Sequence, residues 1–287
     1  MLKLDKYQII AQIYESSNSL VYRGIREADN QRVILKFLKE DYPTPSEIIR
    51  YKQEYEITRN LQLNGVVKAY GIEPYKQTFC LIIEDFGAES LKDIMSQRRG
   101  TEETAYIRMS REEFLPMSIK IAEIIGEIHA ENIVHKDINP ANIVINPETG
   151  EVKIIDFGIS TKLSRENPTL KNPNVLEGTL GYISPEQTGR MNRALDYRTD
   201  FYSLGVTFYE LVTGQLPFES SDAMELVHSH IAKVPASPHE INPEIPPVLS
   251  KIVMKLMAKT AEERYQSAFG LRADLEKCWR SYSSQGR

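Results

Sequence analysis

Two short stretches, "HKDINPANIVI" at residues 135–145 and "IIDFGIS" at 154–160, hold the residues of this chain best suited to chemistry. Asp137 and Asn142 stand in an Asp-x-x-x-x-Asn spacing, and Asp156 opens Asp-Phe-Gly after two short apolar runs. Phosphoryl transfer requires a carboxylate at the attacking hydroxyl and hard oxygen ligands around magnesium. Asp137 suits the first task, and Asn142 and Asp156 the second. A polar turn between a helix and a hairpin could use the same residue types, so the surrounding elements have to be read.

The first third of the chain is rich in strand formers. "YQIIAQIY", "LVYRGI", "RVILKFL", "VVKAYGI" and "TFCLIIE" read as five strands. Between the third and fourth lies "TPSEIIRYKQEYEITRNLQL", a helix with Ser46 as its candidate cap and Ile48, Tyr51, Tyr55 and Leu61 at helical spacing. After "EDFGAES" the pattern turns helical. Ile121, Ile124, Ile125 and Ile128 recur at i, i+3, i+4 and i+7. "TDFYSLGVTFYELVTG" is apolar almost all round and predicts a buried helix, with Gly214 as C-cap and Pro217 blocking continuation. "PPVLSKIVMKLM" and "SAFGLRADLEKCW" predict further helices, and "SYSSQGR" a frayed polar tail. The expected division is 1–84, 85–280 and a tail at 281–287.

Further motifs follow in a fixed order: "VILK" at Lys36, "GTLGYISPE", "DFYSLG" and "AEERY". With the two stretches above, the chain resembles a eukaryotic-type (Hanks-type) serine/threonine protein kinase domain over nearly its full length. The resemblance implies an α+β bilobal fold, with a five-stranded first lobe carrying one helix and a mostly helical second lobe. "ENPTLKNPNVLEGTLGYISPEQTGRMNR" and "LDYRTDFYSLGVTFYELVTGQLPF" resemble more narrowly the kinase portion of large hybrid signalling proteins known mainly from cyanobacteria. There a kinase domain precedes an ATPase-like region, a GAF sensor and a histidine kinase. Such downstream sensor or histidine kinase domains of a longer chain are expected partners, beside a protein substrate and ATP.

What the resemblance implies can be carried residue by residue. Lys36 would contact the α- and β-phosphates of ATP. Its helix partner would be Glu54 or Glu56. Glu54 shares a face with Ile57 and Leu61, whereas Glu56 points about 200° away around the helix, so Glu54 is chosen. The adenine would bind between the lobes at "IIEDF", where Ile83 controls the back of the pocket and Glu84 to Phe86 offer main-chain hydrogen bonds. Asp137 would orient the acceptor hydroxyl with Asn139 assisting, and Asn142 and Asp156 would hold Mg2+. His135, Asp200 and the pair Glu186–Arg264 would be scaffold.

Three departures from the family pattern bear on activity. Asn139 stands where serine/threonine kinases carry a lysine. That removes a full charge from the transferred phosphoryl group, and charge-assisted hydrogen bonds are about twice as strong as neutral ones. His-Arg-Asp has become His135-Lys136-Asp137, and a lysine offers only a point charge to a phosphorylated residue. Thr169 is the candidate phosphosite, with Ser160, Thr161 and Ser164 as further hydroxyls and Thr179 expected at Asp137. Finally, the phosphate-covering loop "IYESSNSLVY" has no glycine; Tyr14, Ser16 and Ser19 occupy the three glycine positions, ahead of Val21. Glycine lets backbone approach phosphate closely, so weak nucleotide binding is expected.

The bulk composition narrows the rivals. The chain has 287 residues, 41% hydrophobic and 26% charged, with a net charge of -5. No basic block points to nucleic acid. Cys80 and Cys278 form no metal or disulfide pattern, and no apolar run approaches the roughly 18 residues of a membrane span. The expected location is cytoplasmic. The first expectation is an ATP- and magnesium-dependent serine/threonine kinase. The alternative is a pseudokinase, a nucleotide- or partner-binding signalling module. A small-molecule phosphotransferase ranks third, because "GTLGYISPE" resembles a platform for peptide substrates.

Overall fold

The computed structural model describes residues 4–16, 18–39, 43–98, 108–163, 177–190 and 195–285. Its contacts divide the chain into two compact units, Met1–Glu89 with Ile145–Gly158 and Ser90–Val144 with Ile159–Arg287. The first unit is thus discontinuous in sequence, which a reading along the chain does not anticipate.

The first unit is built on an antiparallel sheet of order β1-β2-β3-β5-β4. Its strands are β1 (Tyr7–Glu15), β2 (Ser19–Arg26), β3 (Gln31–Leu38), β4 (Ala69–Tyr75) and β5 (Thr78–Glu84), with helix α1 (Pro45–Asn60) between β3 and β4. The period-2 alternation of β3 sorts its side chains. Val33, Leu35 and Phe37 join Cys80 and Ile82 in one buried cluster. Lys36 therefore points to the other face, where Tyr51 of α1 packs on Leu38 and Leu81. The cap of α1 is Thr44 rather than Ser46: its hydroxyl and Glu47 form a reciprocal capping box around Pro45 at the first helical position. Proline's fixed φ suits that position, so the helix starts before Ser46. The Tyr51 hydroxyl donates to the Lys36 carbonyl and fixes the register of α1 against β3.

The chain passes to the second unit through β6 (Glu89–Ser90) and α2 (Leu91–Gln97). Helix α3 (Arg111–Ala130) begins at a Ser110–Glu113 capping box and buries Ile121, Ile124, Ile125 and Ile128. The short strands β7 (Ile133–Val134), β8 (Ile143–Ile145), β9 (Val152–Ile154) and β10 (Thr161–Lys162) follow in the chain, β9 and the end of β8 belonging to the returning segment of the first unit. β7 pairs with β10 through Thr161–Val134 and Lys162–Ile133. Helix α4 (Arg198–Thr213) is buried along almost all its length and ends at Gly214, whose φ of 80° is the left-handed cap. The remaining helices are α5 (Ala223–Ala232), α6 (Pro238–Ile241), α7 (Pro247–Leu256) and α8 (Ala268–Gln285). α3 and α8 approach closely at Gly126, where a Cβ would stand 2.9 Å from the Ala268 Cβ.

Residues 281–285, expected to fray as a polar tail, instead continue α8. The Tyr282 hydroxyl donates to the Glu112 carboxylate, and the Arg111 guanidinium lies 4.8 Å from the Tyr282 ring. Cys80 and Cys278 are both buried and unpaired with each other. Among the described residues no helix is long and apolar enough to cross a membrane.

Candidate active site

In the first unit the chemistry gathers on Lys36. Cross-strand register sets Tyr14 opposite Val21 and Val21 opposite Lys36, so the three side chains stand in one row across β1, β2 and β3. The Lys36 ammonium donates to both carboxylate oxygens of Glu54 at 2.8 Å and lies 3.2 Å from Asp156 Oδ2. Glu54 is buried on the face of α1 that carries Tyr51 and Thr58, whereas Glu56 is exposed. Asp156 reaches the ammonium because Ile154 is pinned to the unit: its N–H donates to the Gly65 carbonyl at 2.8 Å, and Val66 bridges Ile154 in parallel. Asp156 adopts a φ of 65°, an uncommon left-handed conformation for a non-glycine residue.

Burial works against the Lys36 ammonium, but Asp156 and Glu54 outweigh it and hold the amine well above the ordinary lysine value. Burial pushes the Glu54 carboxyl up to about 7, Lys36 opposing and Asp156 adding to the shift. The two carboxylates thus hold the charge on Lys36, while burial works against the charge on Glu54.

The residues expected at a nucleobase are held by their own network. The Glu84 N–H donates to the Lys68 carbonyl at 2.9 Å, and its carboxylate accepts from Lys153 Nζ at 2.7 Å. The Phe86 carbonyl accepts from Asn146 Nδ2 at 2.5 Å, and Asp85 pairs with Arg23 at 2.9 Å. Ile83, half-buried, faces Ile34 across β3 and Ala69 across β4. Arg23, Lys153 and Asn146 are contacts the sequence reading did not foresee.

The glycine-free loop closes on itself. Ser16 Oγ accepts from the Asn18 N–H at 3.2 Å and from the Ser19 N–H at 2.9 Å. The Ser16 N–H donates to the Ser19 carbonyl at 2.9 Å, and Lys39 pairs with Glu15 at 2.6 Å beside it. The Ser16 hydroxyl thus satisfies the amides of Asn18 and Ser19. Tyr14, at the first of the three glycine positions, lies within β1 one residue before its end, with its side chain exposed.

In the second unit the centre is Asp137, half-exposed on the loop after β7. Asp137 Oδ1 accepts from the Thr179 N–H at 2.9 Å, and Oδ2 accepts from Asn142 Nδ2 at 3.0 Å. The Asp137 N–H donates to His135 Nδ1 at 3.3 Å. Asn142 spends its amide nitrogen on Asp137, which leaves Oδ1 as the atom able to ligate a metal. Asn139 is buried and cross-braced: Nδ2 lies 3.1 Å from the Asp137 carbonyl and 3.3 Å from Thr179 Oγ1, and Oδ1 accepts from the Ala141 N–H at 2.9 Å. Thr179 meets Asp137 through its main chain, its hydroxyl being turned to Asn139.

Asp200 of α4 braces this loop from below. It accepts from the His135 N–H at 2.8 Å and the Lys136 N–H at 2.7 Å, and His129 Nε2 lies 2.8 Å from its Oδ2. Burial raises its carboxyl, but His129 and His135 outweigh that and set it below the ordinary aspartate value. Farther off, Arg264 forks onto Glu186 at 2.6 and 2.9 Å. Ser160 is buried and donates to the His135 carbonyl at 3.1 Å, so it belongs to the loop's support. Thr169 and Ser164 lie outside the described residues. Glu177, His129 and Gln187 also touch this loop or its brace; no spacing in the sequence distinguishes them from ordinary surface residues.

Two half-sites thus stand in order along one chain: a buried Lys–Glu pair with a carboxylate on its ammonium, and an oriented carboxylate held by an asparagine five positions on. Residues 7–278 match the family described as the protein kinase domain. The chain belongs to that family. This kinase domain is 32% identical over 274 residues to a probable serine/threonine-protein kinase of Clostridium perfringens, covering 95% of this chain and 38% of that protein. It is 29% identical to the serine/threonine-protein kinase PrkC of Bacillus subtilis, covering 94% of this chain and 40% of PrkC. It is also 33% identical over 232 residues to the hybrid signal transduction histidine kinase G of Dictyostelium discoideum, covering 57% of this chain and 7% of that protein. The kinase domain therefore spans well under half the length of each of these relatives. The hybrid histidine kinase gives the narrower likeness seen in the sequence a named counterpart.

Among the described residues no three His, Cys, Asp or Glu side chains gather as a metal cage. Magnesium in phosphoryl-transfer sites takes one or two protein oxygens together with phosphates and water, and the donor atoms of Asn142 and Asp156 are of that kind.

Proposed function

We propose that this kinase domain transfers the γ-phosphoryl group of ATP to serine or threonine hydroxyls of a protein. The observation that carries the reading is Asp137: a half-exposed carboxylate aimed by Thr179 and Asn142 on a loop that Asp200 fixes. A group so placed can accept the hydroxyl proton as the oxygen attacks, and its preorganisation lowers the reorganisation needed during reaction. Lys36, held by Glu54, supplies a fixed positive charge for the phosphates of the nucleotide. Asn142 and Asp156 would hold Mg2+, which supplies charge neutralisation on the phosphates when bound. Tyr14, Ser16, Ser19 and Val21 would cover the nucleotide, and Ile83, Glu84 and Phe86 would receive its base. Asn139 assists by fixing Asp137 to Thr179 rather than by carrying charge. The relatives named above support serine and threonine as acceptors, and their length supports a role as one domain of a longer signalling chain.

One observation favours a second reading. Ser16 Oγ already satisfies two loop amides, as it would in a pseudokinase that binds nucleotide weakly and acts through partners. The deciding experiment is intact mass after phosphatase stripping, phosphatase removal and addition of ATP and magnesium, with a generic peptide acceptor present and Asp137→Asn alongside. Phosphate on the protein or peptide with the wild type alone supports transfer. Its absence from both, with nucleotide binding retained, supports the pseudokinase.

A further inference from the structure

We infer that Glu177 is a positioning residue for the phosphoryl transfer proposed above: a carboxylate built into the chain that clamps residues 177–179 onto the catalytic loop, so that Asp137 is set before any phosphate is added to the protein. The inference rests on that reading of the site.

The starting point is Lys136. Its side chain is 2% exposed, yet it carries an ammonium group. A buried charge is tolerated only when paired. Glu177 Oε2 pairs with Lys136 Nζ at 3.3 Å, and the Glu177 side chain is itself only 19% exposed. The backbone of Lys136 is held independently, its N–H by Asp200 at 2.7 Å and its carbonyl by Gln187 Nε2 at 2.7 Å. Lys136 is therefore a fixed post, and Glu177 is the element tied to it.

What Glu177 carries is the next two residues. Gly178 has a φ of 99°, and a Cβ there would stand 3.1 Å from the Lys136 carbonyl and 3.5 Å from Asp137 Oδ1. Glycine is needed for both the angle and the approach. Thr179 then donates its N–H to Asp137 Oδ1 at 2.9 Å and receives Asn139 Nδ2 on its hydroxyl at 3.3 Å. The ion pair, the glycine turn and the amide form one continuous clamp from Lys136 to Asp137. Because Lys136 already holds a carboxylate, a phosphorylated hydroxyl would have to displace Glu177 to reach it. Misplacing a reacting group by about 1 Å can cost about 10²-fold in rate, and that is the scale at stake when the clamp opens.

The test compares wild type, Glu177→Gln, Lys136→Met and the double variant, each phosphatase-stripped. One readout is kcat and KM for a peptide acceptor and ATP; the other is hydrogen exchange at the Thr179 amide. Glu177→Gln should lower kcat about 10- to 100-fold with the KM for ATP unchanged, and should speed Thr179 exchange. The double variant should be no worse than the poorer single one, as expected for residues acting as one unit. Stripped wild type should keep the rate of untreated protein. Unchanged kcat and exchange in Glu177→Gln overturn the inference, as does a stripped wild type that falls to the level of Glu177→Gln. If wild type shows no transfer at all, the phosphotransfer reading falls, and Thr179 exchange alone decides whether Glu177 is the clamp.

Discussion

Replacing Arg264 by methionine removes one member of a deeply buried ion pair in the second unit. The Arg264 side chain is fully buried and Glu186 only 6% exposed. The guanidinium forks onto both Glu186 oxygens and donates to the carbonyls of Ala258, Arg198 and Lys259. Methionine fills much of the volume but satisfies none of these. Glu186 would be left buried with the Thr199 hydroxyl, at 2.9 Å, as its one hydrogen-bond donor among these contacts. Orphaning one partner of a buried pair costs about 3–5 kcal/mol. Unfolding entropy of about 2.1 cal/mol/K per residue over 287 residues gives about 0.6 kcal/mol/K, so Tm should fall by about 5–8 °C. The double variant Glu186→Gln/Arg264→Met removes both charges and should recover part of the loss, because a neutral pair carries no unpaired buried ion. Urea and thermal unfolding followed by circular dichroism would measure both. A loss below about 1 kcal/mol for Arg264→Met, or a double variant as unstable as the sum of the singles, would refute the claim that desolvated charge controls this site.

The remaining predictions concern the two half-sites. Ser16→Gly frees the amides of Asn18 and Ser19 and should lower the KM for ATP several-fold with kcat little changed. An unchanged KM would mean these amides do not reach the phosphates. Lys36→Met removes the charge between Glu54 and Asp156 and should cut kcat/KM by about 10²–10³-fold, as loss of a preorganised electrostatic group does; steady-state kinetics on the purified variant decides it. Asp200 is held below the ordinary aspartate value. Its contribution to stability is present above the unfolded value of about 4 and is lost as pH falls through the lower folded value. The gap in urea midpoint between wild type and Asp200→Asn should therefore be constant near neutrality and narrow only below about pH 4. A gap that closes between pH 7 and 5 would assign the effect to another group.

Short-range pattern decided much of this protein. The alternation of "RVILKFL" sends Val33, Leu35 and Phe37 to one face and Lys36 to the other, and the sheet keeps that assignment. Helical spacing separates Glu54 from Glu56, and in the structure the first lies on Lys36 while the second is exposed. These readings need only neighbours within a turn or a strand pair, where geometry is nearly fixed. The α1 cap shows the limit even at that range: Ser46 and Thr44 are both good caps, and the Glu47 and Pro45 positions chose Thr44.

What lies far apart in sequence only the tertiary structure could join. Glu177 meets Lys136 across 41 positions and Asp200 meets the loop across 64 and 65, and no local pattern marks Glu177 as different from any exposed glutamate. The same holds for Ser16, whose small polar side chain could as well have pointed its hydroxyl at a phosphate as at its own loop amides. Sequence sets which groups are available and which face they occupy. Which buried charge finds which partner depends on where the loops close, because a desolvated ion accepts whichever counter-charge the finished packing brings within reach.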